Sequence, residues 1–258
     1  FMGILEKMRL DGKVAFVTGG ARGIGKSIAT ALAEAGSHVV IVDMDLAESE
    51  KTAAEIAQLG VETLAIKTDV TDEADVNKMI DTILAKFGKI DVAFCNAGIC
   101  INAPADEMTY AQFKKVIDVN LNGVFLTSQA AAKVMLKQGR GSIVNTASMS
   151  GHIVNVPQPQ CAYNASKAGV IMLTKSMAVE FAKTGVRVNS ISPGYIGTDL
   201  VLESPNLKPL IEQWNALSPI GRMGRPDELQ AIAVYLAGDA SDFTTGSDFV
   251  VDGAFTCF

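Results

Sequence analysis

Histidine is nearly absent from this chain, which has two, His38 and His152. Its four cysteines, Cys95, Cys100, Cys161 and Cys257, never fall in Cys-x-x-Cys spacing. That pattern argues against a structural zinc site. No signal-peptide pattern opens the chain, so a cytoplasmic protein with reduced thiols is expected. A basic surplus is missing too. Lys and Arg total 22 against 28 Asp and Glu, a net charge of −6. No nucleic acid is expected as a partner, because such binding rests on cations that displace counterions. No apolar run approaches the ~18 residues of a membrane span, so no membrane contact is expected. Linkers, repeats and low-complexity stretches are also lacking.

What is present suits one folded unit. The 258 residues are 48% hydrophobic and 19% charged, enough for a single domain over 1–258. Short β-branched runs predict strands at 14–18, 38–42, 64–68, 92–95, 142–146, 186–191 and 249–251. Helical spacing falls between them, at 24–35, 51–59, 76–87, 113–138, 162–182 and 228–236. The alternation predicts an α/β fold, a doubly wound parallel sheet with helices on both faces and right-handed crossovers. The longest stretch between strands, 192–248, begins with Pro193, Gly194 and Gly197. It also carries Leu207, Leu210, Ile211 and Trp214, and a substrate lid is expected within about 195–225.

Thr18-Gly19-Gly20-Ala21-Arg22-Gly23-Ile24-Gly25 follows the first strand and opens a helix. Glycines permit a tight turn and close approach of backbone to a pyrophosphate. The helix start adds free N–H donors and partial positive charge. The spacing is Gly-x-x-x-Gly-x-Gly rather than Gly-x-Gly-x-x-Gly, so its strand–turn–helix context carries the argument. Asp43 ends the second strand, 18 residues after Gly25. An acid near that offset accepts hydrogen bonds from ribose hydroxyls and repels a 2′-phosphate. NAD is therefore expected ahead of NADP. Arg22 opposes this, since an arginine in the turn suits a 2′-phosphate. Asp43 also has a plainer reading as a strand end or helix cap, a role Asp45 can fill instead.

Tyr163 and Lys167 stand four apart on a predicted helix and project from one face. A free tyrosine titrates near pH ~10. A neighbouring ammonium, together with a nicotinamide cation, is expected to stabilise its phenolate and lower that pKa, which fits it for proton transfer. Ser148, just after a predicted strand, offers a hydroxyl to the substrate oxygen. A Tyr-x-x-x-Lys pair alone is common by chance, and its weight comes from its company.

That company resembles the short-chain dehydrogenase/reductase family over nearly the whole chain. The matching pieces are Thr18-Gly19-x-x-x-Gly23-x-Gly25, Asp69-Val70, Asn96-Ala97-Gly98, Asn120, Ser148, Tyr163-x-x-x-Lys167, Asn189 and Pro193-Gly194 with Thr198. The resemblance implies a seven-stranded Rossmann-type sheet and a nicotinamide cofactor. It implies Tyr163 as acid/base, Ser148 as substrate orienter and Lys167 as binder of the nicotinamide ribose. Asn120 would hold a water linking Lys167 to a proton relay. Asp69 would meet the adenine amino group beside Val70, and Asn96, Ala97 and Gly98 would line the adenosine ribose. Pro193, Gly194, Ile196 and Thr198 would hold the nicotinamide end, with Gly19, Arg22, Gly23, Ile24, Gly25 and Asp43 at the other.

Ser148-Met149-Ser150-Gly151, the following Ile153-Val154-Asn155, and Pro157-Gln158 resemble the polyol dehydrogenase and ketose reductase branch. The interval of 15 from Ser148 to Tyr163, longer than in many members, points the same way. Ser148 rather than Ser150 fits the Ser-x-x-Gly pattern. A polyol or ketose substrate is expected, met by Ser148, Ser150, His152, Asn155, Tyr163 and Tyr195. The polar run is extended by Gln158 and Gln160, while Ile153, Val154 and Val156 could form an apolar wall. A 3-oxoacyl thioester reductase and a non-catalytic dinucleotide sensor are the rivals. The first would favour NADPH and a basic patch, the second a broken Ser/Tyr/Lys set. The ending Val251-Asp252-Gly253-Ala254-Phe255 departs from the usual Val-Asp-Gly-Gly-Tyr. Cys95 and Cys161 read as core residues rather than nucleophiles. The resemblance further implies a homotetramer that pairs through the long helices 113–138 and 162–182 and the last strand. Ala130-Ala131-Ala132 and the apolar tail 255–258 are expected at those contacts.

Overall fold

A computed structural model describes residues 3–257, so Phe1, Met2 and Phe258 lie outside the described residues. Seven strands form one parallel sheet in the order β3-β2-β1-β4-β5-β6-β7. They are β1 (Val14–Thr18), β2 (His38–Asp43), β3 (Thr63–Lys67), β4 (Val92–Cys95), β5 (Gly141–Thr146), β6 (Val186–Pro193) and β7 (Asp248–Val251). Val, Ile and Phe dominate β1, β2 and β4, which are buried along nearly all their length, as a sheet covered on both faces requires. The order reverses between β1 and β4, and a crevice for ligands opens at the carboxyl ends there.

Ten helices accompany the sheet among the described residues. A short α1 (Ile4–Lys7) precedes it. On one face pack α2 (Gly23–Glu34), α3 (Leu46–Ala57) and α10 (Gln230–Ala237), through Ile28, Leu32, Ile56, Ala233 and Leu236. On the other lie α4 (Glu73–Phe87), α6 (Gly123–Gln138) and α7 (Cys161–Phe181), through Met79, Ile83, Ala131, Met135 and Val170. The lid stretch holds α8 (Asp199–Leu202) and α9 (Lys208–Leu217), and α9 buries Trp214.

Several boundaries differ from the sequence pattern, each for a local reason. Helix α3 starts at Leu46 because the Asp45 carboxylate caps it, accepting from the Glu48 N–H at 3.1 Å. The region expected as one helix at 113–138 is three pieces. Helix α5 (Tyr110–Ile117) starts at a capping box of Thr109 and Gln112, and a π turn (Asp118–Asn122) joins it to α6. The expected subunit contacts are also revised. Ala130, Ala131 and Ala132 are at most 5% exposed and belong to the chain's own core. Phe255 is buried against Tyr195, with ring centroids 5.3 Å apart. No helix among the described residues is long and apolar enough to cross a membrane.

Candidate active site

The turn after β1 is built around backbone that only glycine accommodates. Gly19 and Gly23 have φ of +62° and +54°, in the left-handed region. A Cβ on Gly25 would stand 2.0 Å from the Gly19 carbonyl oxygen. The first turn of α2 therefore seats directly on the loop. No side chain caps its N–H groups, which remain available to an anion. Asn96 locks the loop from the other side: its Nδ2 donates to the carbonyls of Thr18 and Gly19 at 3.1 and 3.3 Å. The Ala97 N–H donates to Thr18 Oγ1 at 3.1 Å.

Asp43 faces the same turn. Its carboxylate accepts from the Ala21 N–H at 3.3 Å and from the Asp45 N–H at 3.2 Å. The Arg22 guanidinium is turned to the acids of α3, 2.6 Å from Asp45 and 3.7 Å from Glu48. One Asp69 oxygen takes both the N–H and the hydroxyl of Thr71, at 2.9 and 2.7 Å. Val70 is buried against Gly123, where a Cβ would meet its side chain at 2.8 Å.

At the carboxyl end of β5, Ser148 starts a short turn and its Oγ accepts from the Ser150 N–H at 3.1 Å. Gly151 lets this turn lie on α7, since a Cβ there would stand 2.9 Å from the Lys167 carbonyl carbon. That close approach explains the glycine three residues after Ser148. Tyr163 and Lys167 project from the first turns of α7, with Nζ 5.6 Å from the Tyr163 ring centroid. The Tyr163 phenol is not lowered as the spacing to Lys167 leads one to expect: burial pushes it up to about 12, tempered by a hydrogen bond with Ser148. Burial pushes Lys167 down to about 8, while its Nζ donates to the Thr146 carbonyl at 2.6 Å. Asn120 sits inside the π turn, fully buried. Its amide exchanges two bonds with the Ile99 backbone, at 2.8 and 2.9 Å, and donates to Ser166 Oγ at 3.1 Å. Both amide hydrogens of the side chain are thus engaged, while Oδ1 accepts a single bond.

Ser148 and Tyr163 open on a cavity of about 310 Å³ that also reaches Ile24, Pro193, Gly194, Ile196 and Thr198. A Gly194 Cβ would stand 2.7 Å from Asp252 Cα, which accounts for that glycine. Ser150, Asn155 and Tyr195 line the cavity as expected. His152 does not. Its Nε2 lies 2.7 Å from Asp248, whose carboxylate also takes the Ser190 and Ser192 hydroxyls. Gln158, Gln160 and Trp214 join the wall, and so does Cys100, which the sequence does not single out. Its thiol is pushed up to about 11 by burial, away from nucleophilic chemistry. Cys95 is buried in the core, and Cys161 is exposed beside Met108. A second cavity of about 250 Å³, lined by Lys13, Arg140 and Arg187 among others, lies at the amino ends of β1, β4, β5 and β6 and holds none of these residues. No cluster of three or more potential metal ligands exists among the described residues.

The side chains of this cavity can hold an oxygen and move a proton, but none can take up a hydride. The glycine cradle, the uncapped helix start and the acid at the end of β2 fit a dinucleotide that can. This is the site of a nicotinamide-dependent oxidoreductase of secondary alcohols and ketones. A family model described as enoyl-(acyl carrier protein) reductase matches residues 19–256, and the chain belongs to the short-chain dehydrogenase/reductase family. It is 44% identical over 257 residues to a sorbose reductase of Candida albicans, covering 98% of this chain and 90% of that protein. It is 43% identical over 260 residues to a probable NADP-dependent mannitol dehydrogenase of Yarrowia lipolytica, covering 98% and 91%. Among solved structures, a short-chain type dehydrogenase/reductase from Mycobacterium marinum superposes with a TM-score of 0.96 at 46% identity, covering 99% of this chain and 100% of that one.

Proposed function

We propose that the protein interconverts a polyol and its ketose with NAD as the preferred cofactor. The carrying observation is the cavity wall. Ser150, Asn155, Gln158 and Gln160 are all buried, and all offer polar atoms beside Ser148 and Tyr163. These groups bond one another and Tyr195, so they hold a fixed polar wall, and the Tyr195 hydroxyl hydrogen is left over. An alkyl substrate would leave that donor unpaired, at roughly 1–3 kcal/mol, while a substrate with further hydroxyls would accept from it. The names of the Candida and Yarrowia relatives support the same substrate class.

Bound NAD supplies the hydride acceptor, and its reduced form the donor. The chain's own groups do the rest. Ser148 holds the reacting oxygen and stabilises charge that develops on it. Tyr163, held neutral at pH 7 by its raised pKa, gives its proton to that oxygen in reduction and takes it back in oxidation. Lys167, a cation below its pKa of about 8, stabilises the phenolate formed in reduction. Its ammonium also offers donors to the nicotinamide ribose. Asn120 fixes the Ile99 backbone and would hold a water that links Lys167 to a proton relay. Gly19, Arg22, Gly23, Ile24 and Gly25 would cradle the pyrophosphate, Asp43 the adenosine ribose, and Asp69 with Val70 the adenine. Asn96, Ala97 and Gly98 would border that ribose, while Pro193, Gly194, Ile196 and Thr198 hold the nicotinamide. The stretch 195–225 would cover the bound substrate.

Support for NAD comes from Asp43 at the turn and from Arg22, whose guanidinium is already engaged by Asp45 and Glu48. A homotetramer is proposed on the outer faces of α6 and α7. Phe125, Leu136, Met172 and Val179 stand 37–78% exposed there, and subunit contact would cover them.

The test is a spectrophotometric screen of sugar alcohols, ketoses, acetoin, simple alcohols and 3-oxoacyl thioesters with both cofactors. The highest kcat/KM is expected for a polyol or ketose. If a simple aliphatic or steroid alcohol exceeds every pentitol and hexitol, and no ketose is reduced, the substrate assignment is wrong.

A further inference from the structure

We infer that Tyr195 is a specificity-determining residue whose hydroxyl can only donate a hydrogen bond to the substrate, and that Trp214 of the lid fixes this polarity through Gln158. This deepens the polyol–ketose reading and rests on it. The Trp214 indole N–H is a donor only. It meets Gln158 Oε1 at 3.1 Å, which determines which way round the Gln158 amide stands. Gln158 Nε2 must then face Tyr195, and it donates to the phenol oxygen at 2.7 Å. Asn155 Nδ2 donates to the same oxygen at 3.0 Å. Asn155 is held in its own orientation because its Oδ1 accepts from Gln160 Nε2 at 3.0 Å.

Two amide donors occupy the acceptor capacity of the Tyr195 oxygen. Its hydrogen is left over, and it meets no acceptor among the described residues. The ring cannot swing to find one. It is stacked on Trp214, with centroids 4.2 Å apart and planes 10° from parallel, and Phe255 closes its edge. All four residues of the relay, Trp214, Gln158, Asn155 and Tyr195, line the same cavity as Ser148 and Tyr163. The unspent donor therefore calls for an oxygen acceptor on the substrate, apart from the oxygen held by Ser148 and Tyr163. A substrate hydroxyl there accepts from Tyr195 and donates its own hydrogen elsewhere on the polar wall. An alkyl group or a substrate ammonium would leave the phenol hydrogen unmet. Trp214 is carried on α9, so the donor is set only when that helix lies over the cavity.

The experiment compares a ketose with its series of monodeoxy analogues, lacking one hydroxyl at a time, in wild type, Tyr195→Phe and Trp214→Phe. One analogue is expected to lose about tenfold or more in kcat/KM with wild type, since a buried donor is left unpaired. In Tyr195→Phe the ratio between ketose and that analogue should collapse toward one, while the ratios for the other analogues persist. Trp214→Phe keeps an aromatic stack but frees the Gln158 amide to rotate. It should weaken the same ratio, mainly through KM, while binding of NADH, followed by the fluorescence of its reduced nicotinamide, stays intact. A ratio unchanged in Tyr195→Phe overturns the inference even if ketoses are good substrates. If wild type reduces no ketose, the functional reading fails first, and both fall. A uniform loss across all analogues in either variant marks a merely structural role and also overturns the inference.

Discussion

Lys167 sets its ammonium 5.6 Å from the Tyr163 ring centroid but spends a hydrogen bond on the Thr146 carbonyl, at 2.6 Å, rather than on the phenol. The pair thus acts through charge and through position on one helix. Burial works on the two groups in opposite directions, raising Tyr163 and lowering Lys167, because each is disfavoured in its charged form. In the proposed reaction the proton that moves belongs to Tyr163, and the cation that steadies its departure belongs to Lys167.

Tyr163→Phe should therefore lower kcat by at least ~100-fold, the usual scale of a lost general acid or base. Dinucleotide binding, followed by fluorescence titration, should change little, since the phosphate turn is untouched. Turnover near that of wild type would remove Tyr163 from the reaction.

The reduction rate should depend on pH through Lys167. Its pKa is lowered to about 8, so it is a cation below that pH and neutral above it. Loss of the cation removes stabilisation of the phenolate that forms when Tyr163 gives up its proton. The log of kcat/KM for ketose reduction should hold level near pH 7 and fall as pH rises past about 8. A profile flat to pH 10 would contradict this.

Cofactor choice should follow the acids near the turn. NAD is expected to give the higher kcat/KM, and Asp43→Ser should narrow the gap by about tenfold, since a carboxylate and a 2′-phosphate repel at close range. The variant also loses the acceptor for the Ala21 N–H, so some weakening with NAD accompanies it. A native preference for NADP would mean that Arg22 leaves Asp45 and Glu48 for the phosphate.

Assembly is open to a direct measurement. Light scattering at micromolar concentration should give four times the mass of the 27.2 kDa chain. Val179→Glu, on a residue 78% exposed on α7, should lower that mass by splitting one interface. A monomer in the wild-type protein would rule out the proposed contacts.

Most of the strand positions are legible because burial on both faces demands continuous apolar runs, as in Val14–Thr18 and Val92–Cys95. The set of Ser148, Tyr163 and Lys167 is legible because short local spacings carry it. Partners distant in sequence are not. His152 reads as a substrate contact in its loop, yet its ring is taken by Asp248, 96 residues on. Cys100 follows a recognisable Asn-Ala-Gly run but carries no spacing signal of its own, and only the fold brings it to the cavity. Gln158 and Trp214 read as a polar loop residue and an apolar lid position. Their bond spans 56 residues and appears only once the lid helix is placed. The capping box at Thr109 was present in the sequence, but the apolar pattern running on from Phe113 obscured the separate helix it begins.

The π turn at Asp118–Asn122 divides the duties of one long helical stretch. A π turn is an α-helix carrying one residue too many. Taking one residue out would restore regular winding and leave the later faces in phase. Thr127, Ala131 and Met135 would still point into the core, so the sheet would keep its cover. Asn120 would lose its place, and with it the three bonds that hold Ile99 and Ser166 beside the reacting groups. The surplus residue is thus one the sheet's cover does not require, and what it secures is the place of Asn120.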